Sequence, residues 1–223
     1  MFDNLVRKFG APEAARRPTH EQLAELEGRL PTGLLAFWQA YGIGLWLGGK
    51  FQFCLPERFW PVSSSIFAND PQLGPGETHI IGFSALGELL AWNERHQRVL
   101  VDLPRLAARV SKFNDGERGA TRNYPIETAL SRLDREGSFD VFEQTDAAEP
   151  LFERARQGLG PLALGECYGF VPALALGGPA RLEHLERLDA LVHFSLLADL
   201  GRCRLLIRPT PGGPETVSRM IGA

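Results

Sequence analysis

The chain has 223 residues, of which 44% are hydrophobic and 23% are charged. This composition is typical of soluble globular proteins and excludes a chain dominated by low-complexity disorder. The 24 basic and 27 acidic side chains give a formal net charge of −3, which argues against a general nucleic-acid binder because such proteins usually carry a basic surplus.

Length and cysteine usage narrow the architecture further. At about 150 residues per domain, the chain can form one large domain or two small ones. The three cysteines are scattered and form no C-x-x-C pair, so we expect neither a disulfide framework nor structural zinc. The first residues lack a signal-peptide pattern, and no stretch reaches the roughly 18 apolar residues of a membrane span. We therefore expect a cytoplasmic protein.

The first half begins with two predicted helices. Thr19 can cap the first helix, with Gln22 as its capping-box partner. Thr32 can cap the second helix, and Gly42 is placed to end it because glycine tolerates the backbone conformation found just after a helix. Alternating apolar residues at 51–55 then predict a strand, whereas the Pro-, Ser- and Gly-rich segment 61–77 predicts a loop.

A run of short antiparallel strands is predicted next, because turn-prone residues separate three apolar stretches at 78–83, 87–92 and 97–103. The polar segment 111–123 has the composition of a linker. We therefore predict a first domain at 1–112, a linker at 113–123 and a second domain at 124–223.

The second half predicts helices followed by a closing strand. Helical patterns are weak around 125–135, clearer from Asp146 to Gln157, and strong from Ala180 to Leu200, where leucines recur at helical spacing. Residues 202–208 are typical of a strand, and the Pro- and Gly-rich tail after them is expected to be loose. Together the patterns predict an α+β fold of two small domains, each a mainly antiparallel sheet packed against helices.

No catalytic or metal-binding motif is complete. Residues 82–87 approach the G-x-S-x-G nucleophile motif, but Leu86 stands where the second glycine is required, and a hairpin turn is the simpler interpretation. The five histidines lack metal-ligand spacing. A hydrolase acting through Cys167 or Ser84 would lack a base and an orienting group. We expect no catalytic residue, no metal and no cofactor.

One segment stands out by its charge. Residues 134–153, here called the acidic window, contain seven acidic residues and one basic residue, a net charge of −6. The ordinary interpretation is a solvated face, and the alternative is a negative surface that docks onto a basic partner. The candidate docking residues are Asp134, Glu136, Asp140, Glu143, Asp146, Glu149 and Glu153.

Aromatic residues are concentrated between positions 37 and 60, and most of them are expected to form the core of the first domain. Trp46 lies between glycine-rich turns, so we expect it to be exposed. An exposed tryptophan on a rigid turn would make a good interface anchor, and Trp46 is therefore added to the candidate docking residues.

Two parts of the chain resemble known families. Residues 30–59 and 79–92 resemble the GAD-like domain, related in style to SMI1/KNR4-type immunity domains, through Leu-Pro, a helix carrying Phe-Trp, and Tyr-Gly before a glycine-rich turn. Residues 160–200 resemble the companion C-terminal domain of type VI secretion DNase-immunity proteins. The matching residues there are Glu166, Tyr168, Gly169, Phe170, Pro172, Ala173, Leu174, Leu176, Gly177 and Gly178.

The resemblance implies an immunity protein of the bacterial cytoplasm that binds and blocks a type VI secreted nuclease toxin, as a monomer or in a 1:1 complex. It implies no direct contact with nucleic acid or membrane. We expect the motif residues to hold the fold, since glycines permit positive φ at tight turns. The main alternative is an SMI1/KNR4-like regulatory module without a toxin partner. RNA binding through the first half is disfavoured, because residues 1–110 carry no net charge.

Overall fold

The computed structural model describes residues 2–110, 113, 123–125, 140–143, 149–208 and 213–222. Helices and strands alternate irregularly within these ranges. The helices are α1 (Asp3–Phe9), α2 (His20–Ala24), α3 (Thr32–Tyr41), α4 (Trp60–Ile66), α5 (Phe152–Leu159) and α6 (Ala190–Asp199). The strands are β1 (Glu13–Arg16), β2 (Ile43–Trp46), β3 (Phe51–Phe53), β4 (Thr78–Ser84), β5 (Glu88–Asn93), β6 (Gln97–Asp102), β7 (Ala107–Val110), β8 (Glu166–Phe170), β9 (Leu185–Asp189), β10 (Cys203–Ile207) and β11 (Thr216–Ile221).

Nine of these strands form one sheet, in the order β1-β2-β3-β4-β5-β6-β7-β10-β11. Every neighbouring pair in it is antiparallel except β7 and β10, which are parallel. Strands β8 and β9 form a separate antiparallel pair. The predicted α+β class is confirmed. The sequence did not predict that β10 and β11 return to the edge of the sheet that the first half builds.

The large sheet is covered on both faces. Successive side chains of a strand point to opposite faces, so Leu90 and Trp92 of β5 pack with α3 in one core, while Leu89 and Ala91 pack with α4 and α6 in another. A third apolar cluster lies around α5, β8 and β9. The second half is therefore fixed to the sheet by α6 on one face and by two strands at its edge.

Several local predictions are confirmed. Thr19 and Gln22 form the capping box, with Gln22 N–H donating to Thr19 Oγ1 at 3.2 Å and Thr19 N–H donating to Gln22 Oε1 at 3.0 Å. The second predicted helix is α3, and Gly42 follows it with a φ of +83°. The turn at 85–87 joins β4 to β5 as a hairpin, and β6 completes the predicted run of strands.

The long helix predicted from Ala180 to Leu200 is wrong in its first half. Residues of β9 pair with β8 instead, and only Ala190–Asp199 is α-helical. The helix begins there because the carboxylate of Asp189 accepts a hydrogen bond from Val192 N–H at 3.0 Å, which is an N-cap. Leucine spacing alone did not distinguish this strand from a helix.

Two further predictions are corrected. The segment predicted as a loop at 61–77 is largely α4 in its first part, with Val62 and Ile66 buried. The tail expected to be loose contains β11, which pairs with β10. Arg219 in β11 donates two hydrogen bonds to the carboxylate of Asp70. Its Nε donates to Oδ2 and its Nη2 donates to Oδ1, both at 3.0 Å. These long-range contacts outweigh the local composition that suggested disorder.

The helix predicted from Asp146 to Gln157 is observed as α5, which begins at Phe152. The predicted linker and the weak helical segment at 125–135 lie outside the described residues, apart from 113 and 123–125. The division into two domains at 113–123 therefore stays a prediction.

Candidate functional site

Asp140 of the acidic window is used inside the protein. Its Oδ1 accepts hydrogen bonds from the backbone N–H groups of Val141 at 2.9 Å and of Leu151 and Phe152 at 3.1 Å each. Its Oδ2 lies 3.2 Å from Lys50 Nζ, and the side chain is 4% exposed. Because α5 begins at Phe152, Asp140 caps this helix from a distant position in the chain. Contrary to the docking hypothesis, this carboxylate is not free to bind a partner.

Glu143 is engaged internally as well. It forms a short ion pair with Arg154 and accepts a hydrogen bond from Leu182 N–H at 3.2 Å. The hydrogen bond from Arg154 is the main reason that the pKa of the Glu143 carboxyl lies below its usual value. The bond to Leu182 connects the acidic window to the segment before β9, so the first role of Glu143 is structural.

Glu149 and Glu153 remain at the surface, with side chains 55% and 65% exposed. Glu149 lies 3.2 Å from Arg154, and Glu153 lies 3.9 Å from Arg156. Exposed pairs of this kind contribute little to stability, so both carboxylates can pair with a partner and stay candidates for docking. Asp134, Glu136 and Asp146 lie outside the described residues.

The expectation that Trp46 is exposed is wrong. Its side chain is 2% exposed, and its ring centroid lies 5.2 Å from that of Phe37 and 6.1 Å from that of Phe53. Every residue of β2 is buried, and Ile43 and Trp46 pack in the same core as α3. Trp46 is a core residue and cannot act as a surface anchor in this conformation.

The family-motif residues of β8 make internal contacts. The hydroxyl of Tyr168 donates to the carbonyl oxygen of Gly160 at 2.6 Å, and its backbone N–H donates to that of Ala85 at 2.7 Å. The carboxylate of Glu166 accepts a hydrogen bond from the backbone N–H three residues before it, at 2.8 Å. Phe170 is buried. These contacts hold β8 between the β4–β5 turn and the loop that precedes β8.

The motif glycines lie where a side chain would collide or where the backbone requires glycine. A Cβ at Gly169 would lie 2.5 Å from the His193 ring, and one at Gly178 would collide with the backbone carbonyl of Pro172. Gly177 has a φ of +85°, a conformation that side-chain-bearing residues rarely adopt. The geometry at these positions is that of residues that shape the fold.

A buried glutamine that the sequence analysis did not select connects the two halves. Gln52 in β3 donates through Nε2 to the carbonyl oxygen of Glu166 and accepts through Oε1 from Gly165 N–H, both at 2.8 Å. The residue is 1% exposed, and both ends of its amide are used. A single polar residue within the apolar strand Phe51–Phe53 was the available signal, since buried polar groups need partners.

The described residues offer no activated nucleophile. The three cysteines are free and buried, and burial raises the pKa of each thiol, that of Cys203 to about 11. Ser84 is buried, and its hydroxyl accepts a hydrogen bond from Glu88 N–H at 2.9 Å. Within the same ranges, no group of three or more His, Cys, Asp or Glu residues is arranged to hold a metal ion. No helix among them is long and apolar enough to cross a membrane.

An open cleft of about 420 Å³ lies in the first half, among residues that the sequence analysis did not select. The residues that line it come from the turn after α2, from the 3-10 turn Pro56–Phe59 with the start of α4, and from β4. Trp60 contributes a side chain that is 49% exposed, and we call this feature the Trp60 cleft. Its lining includes Glu25, Arg29, Pro56, Glu57, Trp60 and His79.

Some charged residues of the Trp60 cleft have a partner of opposite charge in the fold and others do not. Arg29 Nε lies 3.1 Å from Glu94 Oε1, and the same oxygen lies 2.8 Å from His79 Nε2, with Glu94 and His79 both buried. By contrast, Glu25 and Glu57 are exposed, and neither forms an ion pair within the described part of the chain. Glu25 and Glu57 are therefore the two carboxylates of the cleft lining that form no ion pair with a described residue.

Helical spacing could have identified Trp60. The buried stripe of this segment consists of Phe59, Val62 and Ile66, which recur at intervals of three and four residues, and Trp60 falls outside that stripe. The Pro- and Ser-rich composition after Trp60 predicts a loop instead of a helix, and a loop prediction does not indicate which side chains face the core.

Comparisons with known proteins are consistent with the resemblance. Residues 1–103 match the family model of the GAD-like domain, and residues 137–201 match that of the T6SS immunity protein Tdi1, C-terminal. The comparison with curated protein sequences gives no significant match. Among solved structures, the chain is similar to the crystal structure of Atu4351 from Agrobacterium tumefaciens, with a TM-score of 0.89 and 29% identity over 100% of this chain and 99% of that chain.

The two family matches occur in the order that the resemblance implied. The GAD-like match contains the Trp60 cleft and most strands of the large sheet, and the Tdi1 match contains β8, β9 and α6. The chain therefore combines a match to the GAD-like domain over residues 1–103 with a match to the Tdi1-type C-terminal domain over residues 137–201.

Proposed function

We propose that this protein binds a nuclease toxin delivered by a type VI secretion system, most simply a DNase, and neutralises it by covering its active or DNA-binding cleft. The observation that carries the proposal is the match of residues 137–201 to the C-terminal domain of the T6SS immunity protein Tdi1. An immunity protein acts by binding its toxin and needs no catalytic group. We expect the purified protein to turn over no substrate.

Charge complementarity supports occlusion of a nuclease. A nuclease holds the phosphate backbone of its substrate with Arg and Lys side chains, so an acidic surface is suited to occupy its cleft. Glu149 and Glu153 are exposed within the matched C-terminal domain. Complementary charges of this kind mainly speed association and select the partner.

The same domain also exposes apolar side chains. Val192 and Leu196 lie one helical turn apart on α6 and are 60% and 63% exposed. Stable interfaces combine an apolar centre with a polar rim, and these residues together with the exposed acids supply both. We expect a total buried area upwards of roughly 1,600 Å² and a nanomolar or tighter 1:1 complex, a binding free energy of at least about 12 kcal/mol.

The toxin's substrate indicates where the protein works. DNA is in the bacterial cytoplasm, so an inhibitor of a DNase must be present there when the toxin arrives. We therefore place the protein in the cytoplasm, as a monomer that forms a heterodimer with its toxin.

The direct test looks for a type VI nuclease toxin gene next to this gene and expresses that toxin with and without this protein. We expect the toxin expressed alone to degrade cellular DNA and kill the host, and co-expression of this protein to restore growth. A catalytically inactive form of the toxin should co-purify with the protein at 1:1, whereas an unrelated immunity protein should neither protect nor co-purify. Equal killing with and without this protein would contradict the proposal and favour a regulatory module.

A further inference from the structure

We propose that the Trp60 cleft receives an arginine or lysine side chain of the toxin. This inference rests on the proposed function, because it assigns a contact in the same complex. It places part of the docking surface in the GAD-like match, on residues that belong neither to the acidic window nor to α6.

The shape of the cleft favours insertion of a side chain. Its volume of about 420 Å³ lies within the range of pockets that enclose ligand groups. The backbone at Trp60 is anchored by the preceding residue, Phe59, which is buried in the core. The ring centroid of Phe59 lies 5.1 Å from that of Phe83 and 6.2 Å from that of Phe194. A half-exposed tryptophan on a fixed backbone can bury its free face on binding at little entropic cost, as interface hot spots do.

The charges of the cleft specify a cation. Arg29, its own basic residue, is already paired with Glu94, so it does not neutralise the acids at the opening. The carboxylates of Glu25 and Glu57 are exposed and lack a basic partner among the described residues. An anionic or purely apolar occupant would leave both carboxylates without a partner as the interface excludes water, at a cost in free energy.

Arginine and lysine satisfy both features at once. Their aliphatic stems pack on apolar surface while the charged end stays with polar groups. A guanidinium also stacks on a tryptophan face and binds carboxylates in a forked geometry. A nuclease carries such side chains in its substrate cleft, so a residue that would otherwise contact phosphate can occupy the Trp60 cleft instead.

The test measures binding of a catalytically inactive nuclease domain, taken from the toxin that the co-expression experiment identifies, to the full-length protein and its variants. Trp60→Ala should weaken the complex at least about 30-fold, the loss typical of a hot-spot residue, and Trp60→Phe should weaken it less because a stacking face remains. Val217→Ala, at an exposed residue of β11, is the apolar control and should bind like wild type.

A charge arm tests the cation directly. The double variant Glu25→Gln with Glu57→Gln should slow association roughly three- to ten-fold at low salt and reduce its salt dependence. The matched control Glu13→Gln with Glu27→Gln removes the same charge from exposed positions of the same half and should have little effect. Thermal unfolding of every variant checks that the fold is retained.

The outcomes separate the two proposals. If the folded Trp60 and Glu25/Glu57 variants bind the nuclease domain as tightly and as fast as wild type, the cleft inference is overturned and the immunity function stands. An absence of binding by the wild-type protein would overturn both. Equal slowing by the cleft and control charge variants would show that only overall charge matters, and would also overturn the inference.

Discussion

The acidic window and the Trp60 cleft carry the same kind of side chain in opposite states. In the window, Asp140 and Glu143 accept backbone hydrogen bonds and pair with basic side chains inside the fold. In the cleft, Glu25 and Glu57 are exposed without an ion pair in the described ranges. The density of acids along a sequence therefore does not locate a docking surface, because what matters is which carboxylates the fold leaves unpaired.

The two tryptophans at the ends of the aromatic-rich stretch show the same contrast. Trp46, expected to be exposed, is enclosed by the first core, whereas Trp60, grouped with the core, is half-exposed beside a cleft. Among the tryptophans, Trp46 is thus structural and Trp60 is available to a partner. Among the carboxylates, Asp140 is structural and Glu57 is available.

Substitution of the two tryptophans provides the largest expected contrast. Trp46→Ala should destabilise the protein by about 3–5 kcal/mol, because it removes a buried indole and leaves a cavity in the core. Trp60→Ala should cost much less, since half of its side chain already faces solvent. Chemical denaturation of both variants measures the difference, and similar losses in the two would contradict the assignment of Trp46 to the core.

Asp140 and Glu57 provide the same contrast for carboxylates. Asp140→Ala should cost about 3 kcal/mol, because it leaves three backbone N–H groups and the Lys50 ammonium without their acceptor. Glu57→Ala, at an exposed position without an ion pair, should change stability by less than about 0.5 kcal/mol. The denaturant midpoints of the two variants and of wild type measure these losses of stability. If Asp140→Ala leaves the stability unchanged, the acidic window is a solvated face.

The predictable parts of this fold are those with local causes. The capping box at Thr19, the helix end at Gly42 and the β4–β5 turn depend on residues a few positions apart, and the sequence indicated each of them. The class of the fold also followed from the patterns, because a run of short strands and a group of helical segments occupy separate stretches of the sequence, as in α+β proteins.

The parts that could not be predicted depend on distant partners. The edge strand β11 forms because β10 is there to pair with it and Asp70 holds Arg219. Gln52 finds its partners more than 100 residues along the chain. For the candidate site, residue types can be read from the sequence but their pairing in the fold cannot, so Asp140 could not be separated from Glu149, or Trp46 from Trp60.

The contact between Asp70 and Arg219 makes the docking of β11 sensitive to acid. Burial alone would raise the pKa of the Asp70 carboxyl, but hydrogen bonds from Arg219 and from the N–H groups of Leu73 and Gln72 outweigh it and hold this pKa below its usual value. A lowered native pKa stabilises the fold above the unfolded value of about 3.9, and that contribution is lost as the pH falls through the native value.

Asp70→Asn should therefore cost about 2 kcal/mol at pH 7, where it removes a charged hydrogen-bonded pair. The gap between variant and wild type should narrow as the pH falls below about 3.9, because the Asp70 carboxyl of the unfolded wild-type chain then binds a proton and proton binding favours unfolding. Unfolding measured by denaturant at several pH values gives this gap directly. A gap of constant size from pH 7 to pH 3 would show that the charge on Asp70 does not contribute to holding β11.

The smallest effect on stability is expected at the two exposed acids of the window. Glu149→Lys with Glu153→Lys should leave the free energy of unfolding within about 0.5 kcal/mol, because both side chains face solvent. If these residues face the toxin, the same double variant should slow association with the inactive nuclease domain about ten-fold at low salt, with a smaller effect at high salt. Glu143 is left intact, since its loss would also break the pair with Arg154.

A charge-matched control keeps this measurement specific. Glu13→Lys with Glu27→Lys reverses the same number of charges at exposed positions of the GAD-like domain, so it separates local contact from overall charge. Slower association in the window variant alone would place the exposed part of the window against the toxin, in addition to the Trp60 cleft. Unchanged kinetics at low salt would remove Glu149 and Glu153 from the interface, and it would leave the assignment of Glu25 and Glu57 in the Trp60 cleft untouched, because those two residues are not changed in this variant.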